Sequence, residues 1–179
     1  MACSVTLSSY KFGDCFSSRG GIKNLWIAVY DENAYVISSA DTVSDLSGST
    51  SAGTIWYKQE LKRNTGSMTS TYSYDEANGS SYVQTDATIV YPKMAKKNRI
   101  QMNALALGDL MAIVEDANGV YYALGGEEPV KCTAGTGETG TERGDRNAYE
   151  CTLSDYSSVY PRILDDTAIS KLPTEAIDD

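Results

Sequence analysis

The chain has 179 residues, 41% hydrophobic and 22% charged, which suits one folded domain over 1–179 with a core of its own. Its 24 acidic residues against 15 basic ones give a formal charge of −9, which argues against a protein that grips the nucleic-acid backbone. It has no histidine, so Ser-His, Cys-His and histidine–metal chemistry are excluded together, while 13 tyrosines and abundant Thr, Ser and Val favour β structure.

The opening MACSVTLSSYKFGDCF lacks the charged and apolar regions of a secretory signal, and no apolar run approaches the ~18 residues of a membrane span. The expectation is a soluble, cytosolically made protein without membrane contact. Cys3, Cys15, Cys132 and Cys151 have no CxxC spacing and are expected to be reduced thiols, with no structural zinc.

Residues 22–39, IKNLWIAVYDENAYVISS, read as two strands around Asp31-Glu32-Asn33. Leu25, Ile27 and Val29 alternate with Trp26, Ala28 and Tyr30, so both faces of the first strand are expected to be covered. Asp41 to Gly53 reads as a loop and Thr54 to Leu61 as a strand.

Gly66 to Tyr91 reads as a long hairpin about Asn78-Gly79, the strongest short-range signal for a two-residue turn. That turn pairs Ser73 with Gln84, Thr71 with Asp86 and Thr69 with Thr88 on one polar face. Tyr74, Tyr72, Ser70 and Met68 meet Val83, Thr85, Ala87 and Ile89 on the other, where the tyrosines are expected to pack into the core. A one-residue slip would mix the faces. Each arm has roughly a dozen residues, hence about 35–40 Å at ~3.3 Å per residue. Such a hairpin leaves a polar face toward water and edges that want partners.

Pro92 ends the second arm. Asn98 with Gln101 resembles a capping box and Gly108 a helix stop, so a short helix is expected between them, with Ile100, Ala104 and Leu107 as its stripe, widened by Met102 and Leu105. Lys93, Lys96 and Lys97 would oppose the helix dipole if the helix began earlier. Residues 109–125, DLMAIVEDANGVYYALG, form a second hairpin at Asn118-Gly119, apolar on both faces and therefore central. GTGETGTERGDRN reads as a glycine-rich loop, AYECTLS as a further strand, and 161–179 as an acidic tail, disordered or ordered against a neighbouring subunit.

No motif in the chain points to catalysis. Asp165-Asp166 and Glu127-Glu128 are sequence neighbours, which point apart in a strand. The glycine-rich stretch lacks the Lys and Ser/Thr of a phosphate loop. Arg143-Gly144-Asp145 spells the integrin tripeptide, which three residues alone do not establish, and Asn78-Gly79-Ser80 is better read as a turn than as a glycosylation site. No enzyme and no cofactor is expected.

Several segments in order carry a likeness: GGIKNLWIA at 20–28 after an opening Cys, ELKRNTGSMTSTYSYDEANGSSYVQTDATIVYPK at 60–93, NRIQMNALALGDLMAIVEDANGVYYALG at 98–125 and TGTERGDRNAYECTLSDYSSVYPRIL at 139–164. Within them stand Lys62-Arg63-Asn64-Thr65-Gly66 before the hairpin and Gly144-Asp145-Arg146-Asn147-Ala148-Tyr149 before the last core strand. The chain thereby resembles the tail-tube or virion ring proteins of tailed bacteriophages, particularly those of Bacteroidetes hosts. It departs from them at Ser157-Ser158-Val159-Tyr160-Pro161, where similar chains carry an acidic-Pro segment.

The resemblance implies a mainly β fold, a sandwich or barrel with one short flanking helix and the long hairpin. It also implies a virion subunit, assembled in the host cytoplasm, that forms hexameric rings stacked into a tail tube. Partners would be further copies and other tail or connector proteins, with viral DNA only in transit. Ser67, Thr69, Thr71, Ser73, Asp75, Gln84, Asp86 and Thr88 are then the candidates to line the lumen, and their only charges are negative. A head-to-tail connector or tail-terminator ring would have a similar fold. A secreted β-sandwich binding module is the reading from another class.

Overall fold

The computed structural model describes Ser9 and residues 18–39, 41–47 and 53–175. The strands are β1 (Ile22–Val29), β2 (Tyr35–Ile37), β3 (Val43–Leu46), β4 (Tyr57–Glu60), β5 (Gly66–Asp75), β6 (Ser80–Pro92), β7 (Leu110–Asp116), β8 (Tyr121–Leu124), β9 (Lys131–Glu138), β10 (Ala148–Ser157) and β11 (Arg162–Ile163). Two helices, α1 (Lys96–Leu107) and α2 (Asp166–Ile169), complete the described elements. The fold is mainly β. A five-stranded sheet in the order β11-β8-β7-β1-β4 packs against a four-stranded sheet in the order β5-β6-β10-β9, and neither closes into a barrel.

The central strands β1 and β7 of the five-stranded sheet are buried on both faces, and their apolar runs follow from that. Leu25 and Ile27 of β1, Leu110, Ala112 and Val114 of β7 and Leu124 of β8 face the four-stranded sheet. Between them, Trp26, Ala28, Met111, Ile113 and Ala123 face the opposite way into a second core. Successive side chains of a strand leave on opposite faces, so a strand covered on both reads as a nearly continuous apolar run. The central placement expected for β1 and for the β7–β8 hairpin is borne out.

The second core is closed by the β2–β3 hairpin and by the carboxyl-terminal segment. β3 lies inside the stretch read as a loop, where Val43 and Leu46 are buried among Ser, Thr and Asp residues whose composition hid them. The segment read as an acidic tail is packed over residues 161–175. β11 pairs with β8, Leu164, Ala168 and Leu172 are buried, and the Trp26 indole donates to the Pro173 carbonyl at 3.0 Å. Leu164, Ala168 and Leu172 are spaced to reach that core, while Asp165, Asp166 and Glu175 stay in solvent. Residues 176–179 lie outside the described residues, as do Cys3 and Cys15.

Helix α1 flanks the sandwich but begins at Lys96, with Ala95 at its N-cap and no side-chain cap. Asn98 is not the cap: its amide donates to the carbonyls of Pro92 and Lys93, at 3.0 and 2.7 Å, and so secures the exit from β6. Lys96 and Lys97 therefore lie in the first turn despite the dipole. Leu105 is the buried residue of the helix and Met102 packs partly on the first core, whereas Ile100, Ala104 and Leu107 face solvent. The stripe is thus centred on the other side from the one expected. The stop at Gly108 holds, its N–H donating to Ala104 O at 3.1 Å.

Candidate functional site

The four-stranded sheet positions every residue proposed for the polar face. β6 is its clearest ruler: Val83, Thr85, Ala87, Ile89 and Tyr91 are buried, and Gln84, Asp86, Thr88 and Val90 between them are not. Pairing with β6 places Ser67, Thr69, Thr71 and Ser73 of β5 on the same face as Thr88, Asp86 and Gln84, although no residue of β5 is itself buried. The division into a polar and an apolar face is as the sequence suggests, but the partners are not. Ser67 pairs with Thr88, Thr69 with Asp86, Thr71 with Gln84 and Ser73 with Tyr82.

The turn explains the change. Asp75 pairs with Ser80, so Glu76, Ala77, Asn78 and Gly79 make a four-residue loop where two residues were expected. The Asp75 carboxylate accepts from the N–H groups of Ala77 and Asn78, at 2.9 and 3.3 Å, and from the Asn78 amide at 2.5 Å. An aspartate that caps the amides just after it builds its own turn, and the glycine at φ +64° closes it. The register moves by two residues. Since side chains repeat every two, each keeps its face. Asp75 is therefore a turn residue at the tip rather than part of the wall.

The face is broader than the hairpin. β10 brings Glu150, Thr152, Ser154 and Tyr156 opposite Val90, Thr88, Asp86 and Gln84. Thr88 and Thr152 share a hydrogen bond of 3.1 Å across the strands. Asp86 accepts from the Gln84 amide at 3.0 and 3.2 Å and from the Ser154 hydroxyl at 2.5 Å, and Ser154 in turn meets Thr133 of β9 at 2.8 Å. Three strands are thus laced by one polar network on their outer surface. Alternation within AYECTLSDYS carried the signal for the β10 residues, but their adjacency to β6 is a non-local fact.

The tyrosines of the arm do not enter the core. Tyr72 is 50% and Tyr74 62% exposed, although both leave on the apolar side, because the arm overruns the sandwich beneath it. Tyr82 and Tyr156 meet on the polar side with ring centroids 5.9 Å apart.

β5 and β9 are the two ends of this sheet, and each pairs on one side only among the described residues. β9 contains much of the stretch read as a glycine-rich loop; the loop itself is 139–147. There the Asp145 carboxylate accepts from Thr141 N–H and Glu142 N–H, both at 2.8 Å, and from the Thr141 hydroxyl at 3.1 Å. These bonds, the Glu142 amide first, hold its pKa below the usual carboxylate value. The acid of Arg143-Gly144-Asp145 thus serves its own loop. Arg146 bridges Glu138 and Glu150 at 2.6 and 2.8 Å.

Among the described residues no cluster of three or more Cys, Asp or Glu could hold a metal ion, and no helix is long and apolar enough to cross a membrane. No protein-family model, curated protein or solved structure matches the chain.

Proposed function

We propose that this chain is a structural subunit of a ring that stacks into the tail tube of a tailed bacteriophage, and that it acts without catalysis. The observation that carries the reading is a sheet with one packed face, one polar face and two edges that have no partner strand among the described residues. Unpaired edges are templates for further strands, and closure into a barrel removes them.

The strand directions are compatible with closure. Every neighbouring pair in β5-β6-β10-β9 is antiparallel, so β5 and β9 run oppositely. β9 of one copy can therefore meet β5 of the next as another antiparallel pair. This is a head-to-tail contact, which generates a ring when the rotation closes. The packed face would turn outward with the sandwich. Ser67, Thr69, Thr71, Ser73, Gln84, Asp86, Thr88, Thr152 and Tyr156 would turn toward the lumen. None of these side chains is positively charged, and the Asp86 carboxylate would repel DNA phosphates during passage.

Light scattering and negative-stain electron microscopy of the purified chain test the reading. Six-fold rings or tubes support it. Rings that never stack point to a connector or terminator. A monomer at high concentration rejects assembly and favours a binding module.

A further inference from the structure

Two cysteines 19 residues apart meet across β9 and β10, with their sulfurs 2.7 Å from each other. Non-bonded heavy atoms settle at about 3.5–4.0 Å, and a disulfide bond is about 2.0 Å long. The sulfurs lie between these, closer than ordinary neighbours. Local geometry brings them there. Cys151 pairs with Gly135, and that ladder continued unbroken would set Cys132 opposite Ser154 on the outer face, but Cys132 pairs with Leu153 instead. The register shift between Thr152 and Leu153 inserts Thr133 as an extra residue and draws Cys132 in. Gly135, opposite Cys151, has no side chain to occupy the gap.

The two thiols differ in access. Cys151 is fully buried in the first core, and burial, then the neighbouring Cys132, pushes its pKa well above the ordinary thiol value. Cys132 is half-buried at the start of the edge strand, its S–H 3.5 Å from the Ala134 carbonyl.

We propose that Cys132 and Cys151 are an oxidisable pair that closes to an intrachain disulfide on reaction with a small-molecule disulfide, fastening the edge strand β9 to β10. The Cys132 thiolate attacks one sulfur of the reagent, whose S–S bond breaks and releases one thiolate. Cys151 then gives its proton to water and attacks the Cys132 sulfur, expelling the second thiolate. The two protein thiols are oxidised and the reagent disulfide is reduced to two thiols. Because Cys151 must ionise inside the core, the second step is the slow one. The bond closes a short loop and needs no movement of a distant element. The inference is independent of what assembles on the β9 edge.

Oxidised glutathione is the probe. After incubation, remaining thiols are alkylated and the protein is digested with trypsin without reduction. The fragments Cys132–Arg143 and Asn147–Arg162 are expected joined, and separate after reduction. Oxidation is expected to raise the melting temperature by about 5–10 °C. A Cys3→Ser/Cys15→Ser variant is expected to behave identically, and Cys132→Ser to show neither joined fragments nor a shift. The proposal is overturned if both cysteines remain alkylatable, if glutathione stays on Cys132 without closure, or if Cys132 joins Cys3 or Cys15. An equal melting shift in Cys132→Ser also overturns it. The wild-type mapping stands even where a variant folds poorly.

Discussion

Gly137 and Tyr149 are cross-strand partners, and the tyrosine ring lies over the glycine so closely that a Cβ there would fall 2.7 Å from Tyr149 Cε1 and 2.9 Å from Cδ1. The glycine is in the strand because the ring needs its space. Met94 closes the same gap, its methyl 3.2 Å from that added atom. Gly137→Ala is expected to push the ring off the sheet and cost roughly 1–3 kcal/mol, as overpacking does. Gly144→Ala, with nothing within 4 Å of the added atom, is the control. Urea denaturation of both variants measures the difference; equal midpoints would remove this account of the glycine.

That pair also marks where the sequence could be read and where it could not. Local patterns carried far: the apolar runs LWIAV and LMAIV announced a doubly covered sheet, and alternation in β6 separated the polar from the buried face. What failed depended on distant residues. Gly135 and Gly137 read as loop because the side chains that justify them, Met102 and Tyr149, come from other elements. Leu164, Ala168 and Leu172 read as tail because their partners, Trp26 and Val43, stand more than a hundred residues earlier. The hairpin register was missed for a local reason, the Asp75 carboxylate. The same device recurs at Asp116, which accepts from Asn118 N–H and Val120 N–H at 2.8 and 2.9 Å. Both turns are Asp-led, and Asn-Gly alone gives the place but not the length.

Asp155 sits on the inner side of β10, 3% exposed, accepting the Gly125 N–H at 3.1 Å. It lines a cavity with Tyr35, Glu127, Tyr160 and Arg162. Burial, with a smaller push from Glu127 and Glu128, raises its pKa from 3.8 to about 6, against the pull of the Gly125 N–H. Between those values the folded protein keeps a proton that the unfolded chain has lost, so this group's contribution falls as pH rises toward 6 and is flat above. The loss is at most roughly 3 kcal/mol. Asp155→Asn can still accept from Gly125 and has no charge to bury. It is expected to match the wild type near pH 4 and to exceed it in stability above pH 7. Urea midpoints of both proteins at the two pH values give the result, and a variant less stable than wild type at pH 7.5 would refute it.

The outer network rests on Ser154, buried although it lies on the polar face, because Asp86 and Thr133 close over it. Ser154→Ala deprives the Asp86 carboxylate of one donor but leaves it the Gln84 amide. The expected loss is about 1–2 kcal/mol, the range for a hydrogen bond to a charged group partly compensated by water. Thr71→Ala, on the exposed edge strand, is expected to change stability by less than about 0.5 kcal/mol. Paired denaturation curves decide; a Ser154→Ala as neutral as Thr71→Ala would mean the network contributes nothing to the sheet.

The carboxyl-terminal segment is held by Leu172 and by the Trp26 indole, which donates to Pro173 O while its ring meets Tyr121 with centroids 5.6 Å apart. Leu172→Ala opens a cavity in the second core and is expected to cost about 2–4 kcal/mol, the usual range for a buried leucine. Because the Trp26 ring loses cover on that side, its fluorescence should shift to the red and become quenchable by acrylamide before global unfolding. Thr174→Ala is expected to leave both signals unchanged, since the backbone carbonyl of that residue, not its side chain, receives the Lys58 ammonium. If Leu172→Ala melts with the wild type and Trp26 stays shielded, the segment does not close the second core in solution, and reading 161–179 as a tail would be restored.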